Sequence, residues 1–182
     1  RNGAPTVAAL MPDVFTHVDL ATLVSLSDLA TDADGDPVFF RIVSSENMTA
    51  HFAADGKSLR VIPDAGFAGT GAVTVIADDG FASTEEITFD VTVSDAALTE
   101  LTFLFRNYLF DNAGEIGEVV VVGQFEDQAD VVLPFDYVTM SVENTSVVRL
   151  AENGLLSAVG EGDTYITARR GALAAATAVA VG

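Results

Sequence analysis

Glu86-Ile87-Thr88-Phe89-Asp90-Val91-Thr92-Val93 alternates without a break, Ile87, Phe89, Val91 and Val93 falling on one side and charged or hydroxyl side chains on the other. A period of two belongs to a strand, whose successive side chains point to opposite faces, and not to a helix. Such a strand buries one face and wets the other. Working outward, Val38 to Ser44, Ser58 to Ile62 and Ala72 to Ala77 show the same alternation or β-branched enrichment. Gly, Pro, Asp and Asn separate them at intervals of roughly 8 to 12 residues, the layout of an antiparallel sandwich. Past Val93 the pattern breaks at Ser94-Asp95-Ala96-Ala97, and a second series begins at Leu98. It runs through Leu101 to Phe105, Glu118 to Val122, Tyr137 to Val142, Val147 to Leu150, Leu155 to Val159, Asp163 to Arg169 and Ala174 to Val181. The last run is rich in alanine, a strong helix former, but its strict Ala-Val alternation makes it a closing strand. The expectation is an all-β chain of two tandem Greek-key antiparallel β-sandwiches, residues 1–96 and 97–182.

Composition limits what such a chain can do. Of 182 residues 49% are hydrophobic, enough for two cores of the usual sandwich size. The longest apolar runs, such as Val119 to Val122, fall far short of the ~20 residues that span a bilayer. Cysteine is absent, which excludes disulfides, thiolate catalysis and cysteine zinc sites together. Charge is the outlying quantity: 27 acidic residues against 8 basic ones give a net of −19. That surface repels nucleic acid and anionic membrane, because phosphate binding needs clustered Lys and Arg. Cations are attracted instead, although acidity can also serve only as solvated surface. Arg1-Asn2-Gly3-Ala4-Pro5 lacks the layout of a signal peptide and reads as cut from a longer chain.

Asn2-Gly3-Ala4-Pro5-Thr6-Val7 opens the first half, and Asp28-Leu29-Ala30-Thr31-Asp32-Ala33-Asp34-Gly35-Asp36-Pro37 precedes a strand. Asp55-Gly56, Ile62-Pro63-Asp64-Ala65-Gly66-Phe67-Ala68-Gly69-Thr70 and Ala77-Asp78-Asp79-Gly80 follow in order. On these motifs the first half resembles bacterial cadherin-like repeats. The second half holds Val142-Glu143-Asn144-Thr145-Ser146-Val147-Val148-Arg149-Leu150, then Glu152-Asn153-Gly154-Leu155-Leu156-Ser157-Ala158-Val159-Gly160-Glu161-Gly162 and Thr164-Tyr165-Ile166-Thr167-Ala168. On these it is similar to bacterial immunoglobulin-like group 2 domains. Residues 98–139 follow no such pattern. Asn153-Gly154 and Gly160-Glu161-Gly162 are expected to supply φ > 0 at hairpin turns.

One constellation carries chemistry. Asp32, Asp34 and Asp36 alternate with small residues, so an irregular loop could turn several carboxylates to one point, as Ca²⁺ requires. An EF-hand is excluded, since counting from Asp32 puts Pro37 at its glycine position and Val43 at its glutamate position. The cadherin-like resemblance implies instead an Asp-x-Asp pair, Asp32 and Asp34, joined by Asp79, or by Asp78 if the register slips by one, with Asn2 as a further ligand. The first-strand glutamate of animal cadherins is missing, and Asp13 and Asp19 are poor substitutes, so one ion is expected and not a cluster. The competing reading makes these loops plain turns, where Asp and Gly are favoured for backbone hydrogen bonding.

Enzyme readings fare worse. His17 and His51 lie on separate segments with no Gly-x-Ser-x-Gly elbow and no His-Glu-x-x-His, and each is read as a surface or edge-strand histidine. Glu85 and Glu86 are adjacent on a strand and point apart, so they cannot flank one glycosidic bond. The resulting expectation is a non-catalytic, calcium-stabilised structural and adhesive module pair of a large secreted or cell-surface bacterial protein. Its partners would be adjacent modules, with homophilic or surface glycan and protein contacts. The rival is a carbohydrate-binding accessory module of a secreted polysaccharide-acting enzyme, motivated by Phe103, Tyr108 and Tyr137 and weakened by the absence of Trp.

Overall fold

The computed structural model describes residues 2–182 and is all-β, with no helix among them and therefore none long and apolar enough to cross a membrane. The chain divides into two compact units, Arg1–Asp95 and Ala96–Gly182. In the first, the strands are β1 (Thr6–Val7), β2 (Val14–His17), β3 (Thr22–Ser25), β4 (Ala30–Thr31), β5 (Phe39–Glu46), β6 (Met48–Phe52), β7 (Ser58–Pro63), β8 (Gly69–Asp78) and β9 (Ile87–Ser94). A four-stranded sheet ordered β2-β9-β8-β5 faces a three-stranded sheet ordered β3-β7-β6, and β1 pairs with β4. The alternation of β9 is realised in full: Ile87, Phe89, Val91 and Val93 are buried while Thr88, Asp90 and Thr92 are exposed. Those four meet Val73 and Val75 from the same sheet and Val24, Leu59 and Val61 from the other in one core.

The second unit holds β10 (Leu98–Phe103), β11 (Asn107–Phe110), β12 (Ile116–Glu118), β13 (Val121–Phe125), β14 (Val131–Leu133), β15 (Thr139–Val142), β16 (Val148–Leu150), β17 (Leu155–Ala158), β18 (Gly162–Arg170) and β19 (Leu173–Val181). Its sheets are ordered β11-β19-β18-β15, β12-β17-β16 and β10-β13-β14. Phe110, Val148, Leu156, Ile166 and Val179 are the centre of a separate core, against which Phe103 and Tyr108 pack. The alanine-rich tail is a strand along its whole length, Thr177, Val179 and Val181 pointing inward.

Three expectations need correction. The sandwiches are not wholly antiparallel, because β2 runs parallel to β9 and β11 parallel to β19. Parallel neighbours require long connections, and here almost the whole unit intervenes. His17 lies on the edge strand β2, one of the two placements expected of it, but not at the surface: it is 1% exposed, with its ring edge-on to Phe15 at 5.3 Å. His51 is exposed on β6, as expected. Gly154 and Gly162 have φ of 89° and 137°, but Gly160 is not among the positive-φ residues. Its glycine is required by close approach, since a Cβ there would lie 2.9 Å from Ser146 O.

Candidate metal centre

Two loops and the N-terminal segment meet at one pole of the first unit. In the loop after β4, Asp32 folds back on its own backbone: Oδ1 accepts the N–H of Asp34 at 2.8 Å and of Asp36 at 3.2 Å. Gly35, at φ 81°, takes the left-handed conformation that reverses the chain between them. This curl swings Asp36 towards Asp32 and sends Asp34 away, its Oδ2 accepting Gly3 N–H at 2.8 Å. After β8, Asp79 accepts the N–H of Phe81 and of Ala82 on Oδ1, both at 2.7 Å, and the Asn2 amide on Oδ2 at 3.1 Å. Asp78 points elsewhere and accepts from the Gly80 N–H and the Ser83 hydroxyl.

Three carboxylates therefore converge. Asp32, Asp36 and Asp79 each offer an oxygen within 4.8 Å of the other two. Oxygens bound to one Ca²⁺ at ~2.4 Å lie no more than ~5 Å apart, so a single ion can touch all three. Asp79 is 5% exposed, and Oδ2 of Asp32 is buried with no hydrogen-bond donor among the described residues. The N–H groups of Ala82 and Phe81 hold the Asp79 carboxyl below its ordinary pKa, outweighing the burial that pushes it up. Asp78 is likewise held low, first by the Ser83 hydroxyl and then by Gly80 N–H.

Of the six residues singled out in sequence, the fold gathers Asp32, Asp36 and Asp79, with Asn2 beside Asp79. Asp34 and Asp78 lie outside the triad, and it is Asp36, not Asp34, whose carboxylate lies beside those of Asp32 and Asp79. Asp19 is occupied otherwise, capping Gly66 N–H at 2.9 Å from a left-handed turn. The aromatics that motivated the carbohydrate reading are committed to packing. Arg170 lies over the face of buried Tyr137 at 3.6 Å, and the Tyr108 hydroxyl donates to Glu118 O at 2.7 Å.

Fold and strand order define an immunoglobulin-like β-sandwich protein. Residues 2–100 match the bacterial Ig domain model, and the chain belongs to that family. No curated protein matches the sequence. Among solved structures, human protocadherin-24 EC1-2 is 16% identical with a TM-score of 0.41, over 99% of this chain and 98% of that one. Domains 4 and 5 of the S-layer protein SbsC are 16% identical with a TM-score of 0.39, over 91% and 98%. An endo-fucoidan hydrolase of glycoside hydrolase family 107 is 15% identical with a TM-score of 0.38, and this chain spans 28% of its length. Likenesses of this size carry no functional weight.

Proposed function

We propose that this chain is a non-catalytic structural and adhesive module pair of a secreted or cell-surface bacterial protein, with one calcium ion stiffening a pole of the first unit. The observation that carries the reading is the buried Oδ2 of Asp32, which has no donor among the described residues and belongs to a triad with Asp36 and Asp79. A cation among these carboxylates offsets the repulsion of three like charges held so close together. Asp79, held acidic by two N–H groups, supports a cation as the occupant. Oxygen-only ligands, with Asn2 at hand, suit a hard ion, and the absence of His or Cys in the group disfavours zinc or copper.

In this role the metal ties Asn2, the β4–β5 loop and the β8–β9 loop together where no disulfide can form. Adjacent modules of the same protein are the expected partners. Calorimetric titration tests the site, together with melts of the full chain in calcium and in chelator. At a hundredfold excess over Kd a single site adds about 2.7 kcal/mol, a rise of several degrees in Tm, with magnesium much less effective. No heat of binding, with a melt indifferent to chelator, would refute the assignment.

A further inference from the structure

Where the chain leaves β1 it stops pairing with the β4 side at Ala8, whose N–H donates to Leu29 O at 2.8 Å. Pairing resumes only at Val14, beside β9 on the opposite sheet. That crossing leaves β3 with β7 on one side and, among the described residues, no strand on the other. The phase of the ladder tells which groups remain. Leu26 N–H donates to Lys57 O at 2.9 Å, so Val24 and Thr22, two and four residues back, belong to the hydrogen-bonded pairs. Leu23 and Ser25 accordingly turn their N–H and C=O to the open edge.

Beside that edge runs a groove of about 400 Å³, walled by the crossing segment and by β3. Leu10 is 86% exposed and Leu23 66%, both lining it. Asp13 and Asp28 are the acidic residues of its lining. Sheet edges are normally blunted by charges, bulges or covering loops. The edge strand β5 has such devices, Arg41, Glu46 and a bulge between Ile42 and Ser44; β3 has no charged residue, no proline and no bulge.

We propose that β3 accepts an extended segment of another protein, apolar residues alternating with lysine or arginine, as a fourth strand on the β3-β7-β6 sheet. Leu23 and Ser25 each supply one N–H and one C=O to it. Apolar side chains of the segment cover Leu10 and Leu23, and its cations meet Asp13 and Asp28 under the attraction of a chain with net charge −19.

The probe is a short end-capped peptide of alternating valine and lysine, titrated into the full chain with backbone amide shifts recorded. Saturable binding is expected, with the shifts centred on Leu23 to Ser25 and a loss of about tenfold or more when the amides along one peptide edge are N-methylated. Ser25→Pro deletes an N–H that the fold leaves unused, and should weaken binding about as much. Leu23→Lys, which keeps the backbone intact and sets a like charge against the peptide, serves if the proline variant unfolds. Equal affinity for the N-methylated peptide, or for one with glutamate in place of lysine, overturns the proposal. So does a wild-type dimer in sedimentation that Ser25→Pro dissolves, since a second copy would then be the occupant.

Discussion

Asp79 illustrates how one side chain divides its work: Oδ1 closes the turn through Phe81 and Ala82, which leaves Oδ2 for Asn2 and the triad. Asp79→Asn keeps an oxygen for those two N–H groups and removes only the charge. Calcium affinity is expected to fall about tenfold or more, while the metal-free Tm falls only modestly, because a neutral acceptor takes the Phe81 and Ala82 N–H groups less strongly than the ionised carboxyl does. Calcium titration and melts in chelator read both quantities, and a metal-free variant much less stable than wild type would contradict this division of roles. Asp78→Asn, outside the triad, should leave the titration unchanged. The aspartate-rich loop was legible as a candidate from composition alone. Which of its carboxylates turn towards Asp79 was not, because spacing cannot tell that Asp32 caps the N–H of both Asp34 and Asp36. Gly35 was the one visible signal, a residue suited to the left-handed turn that brings Asp36 round.

At the scale of elements, β8 shows why a strand tolerates glycine in a buried position. Gly71 lies against Met48 and Glu46 O, and a Cβ there would stand 2.6 Å from that carbonyl. Gly71→Ala should cost about 1 to 3 kcal/mol, measured by chemical denaturation, because a close-packed interior cannot absorb the methyl group without moving backbone. Phe89→Ala, at the centre of β9 and 1% exposed, should cost about 3 to 5 kcal/mol by the same measure. Long half-buried strands such as β8, β9, β18 and β19 were readable because their own side chains alternate. β1, β4, β11 and β14 have only two to four residues and take their conformation from partners distant in sequence, so no local pattern marks them. The parallel pairings of β2 and β11 escaped for the same reason.

For the molecule as a whole, each unit has its own core and the triad belongs to the first. Calorimetry of residues 2–95 and 96–182 as separate fragments should show calcium raising the Tm of the former and leaving the latter in place. A calcium shift in the second fragment would move the site elsewhere. Acid should destabilise the first unit by a defined route. Asp55, Asp78 and Asp79 are all held below the ordinary 3.8 by backbone and hydroxyl donors. A depressed folded pKa contributes stability that is complete above the unfolded value and is lost as pH falls through the folded one. The Tm of the 2–95 fragment in chelator should thus be flat from neutrality to about pH 5 and drop below about pH 4. Constancy down to strong acid would show that these hydrogen bonds do not favour the ionised form. What the sequence by itself determined was the class of architecture, the two-unit plan and the acidic loops, because alternation, turn residues and charge are local or compositional properties. Only the tertiary structure decided which carboxylates share a point, that His17 is interior, and that β3 keeps an open edge. Those outcomes depend on where a crossing segment and distant loops come to rest, and the contacts that place them join residues tens of positions apart.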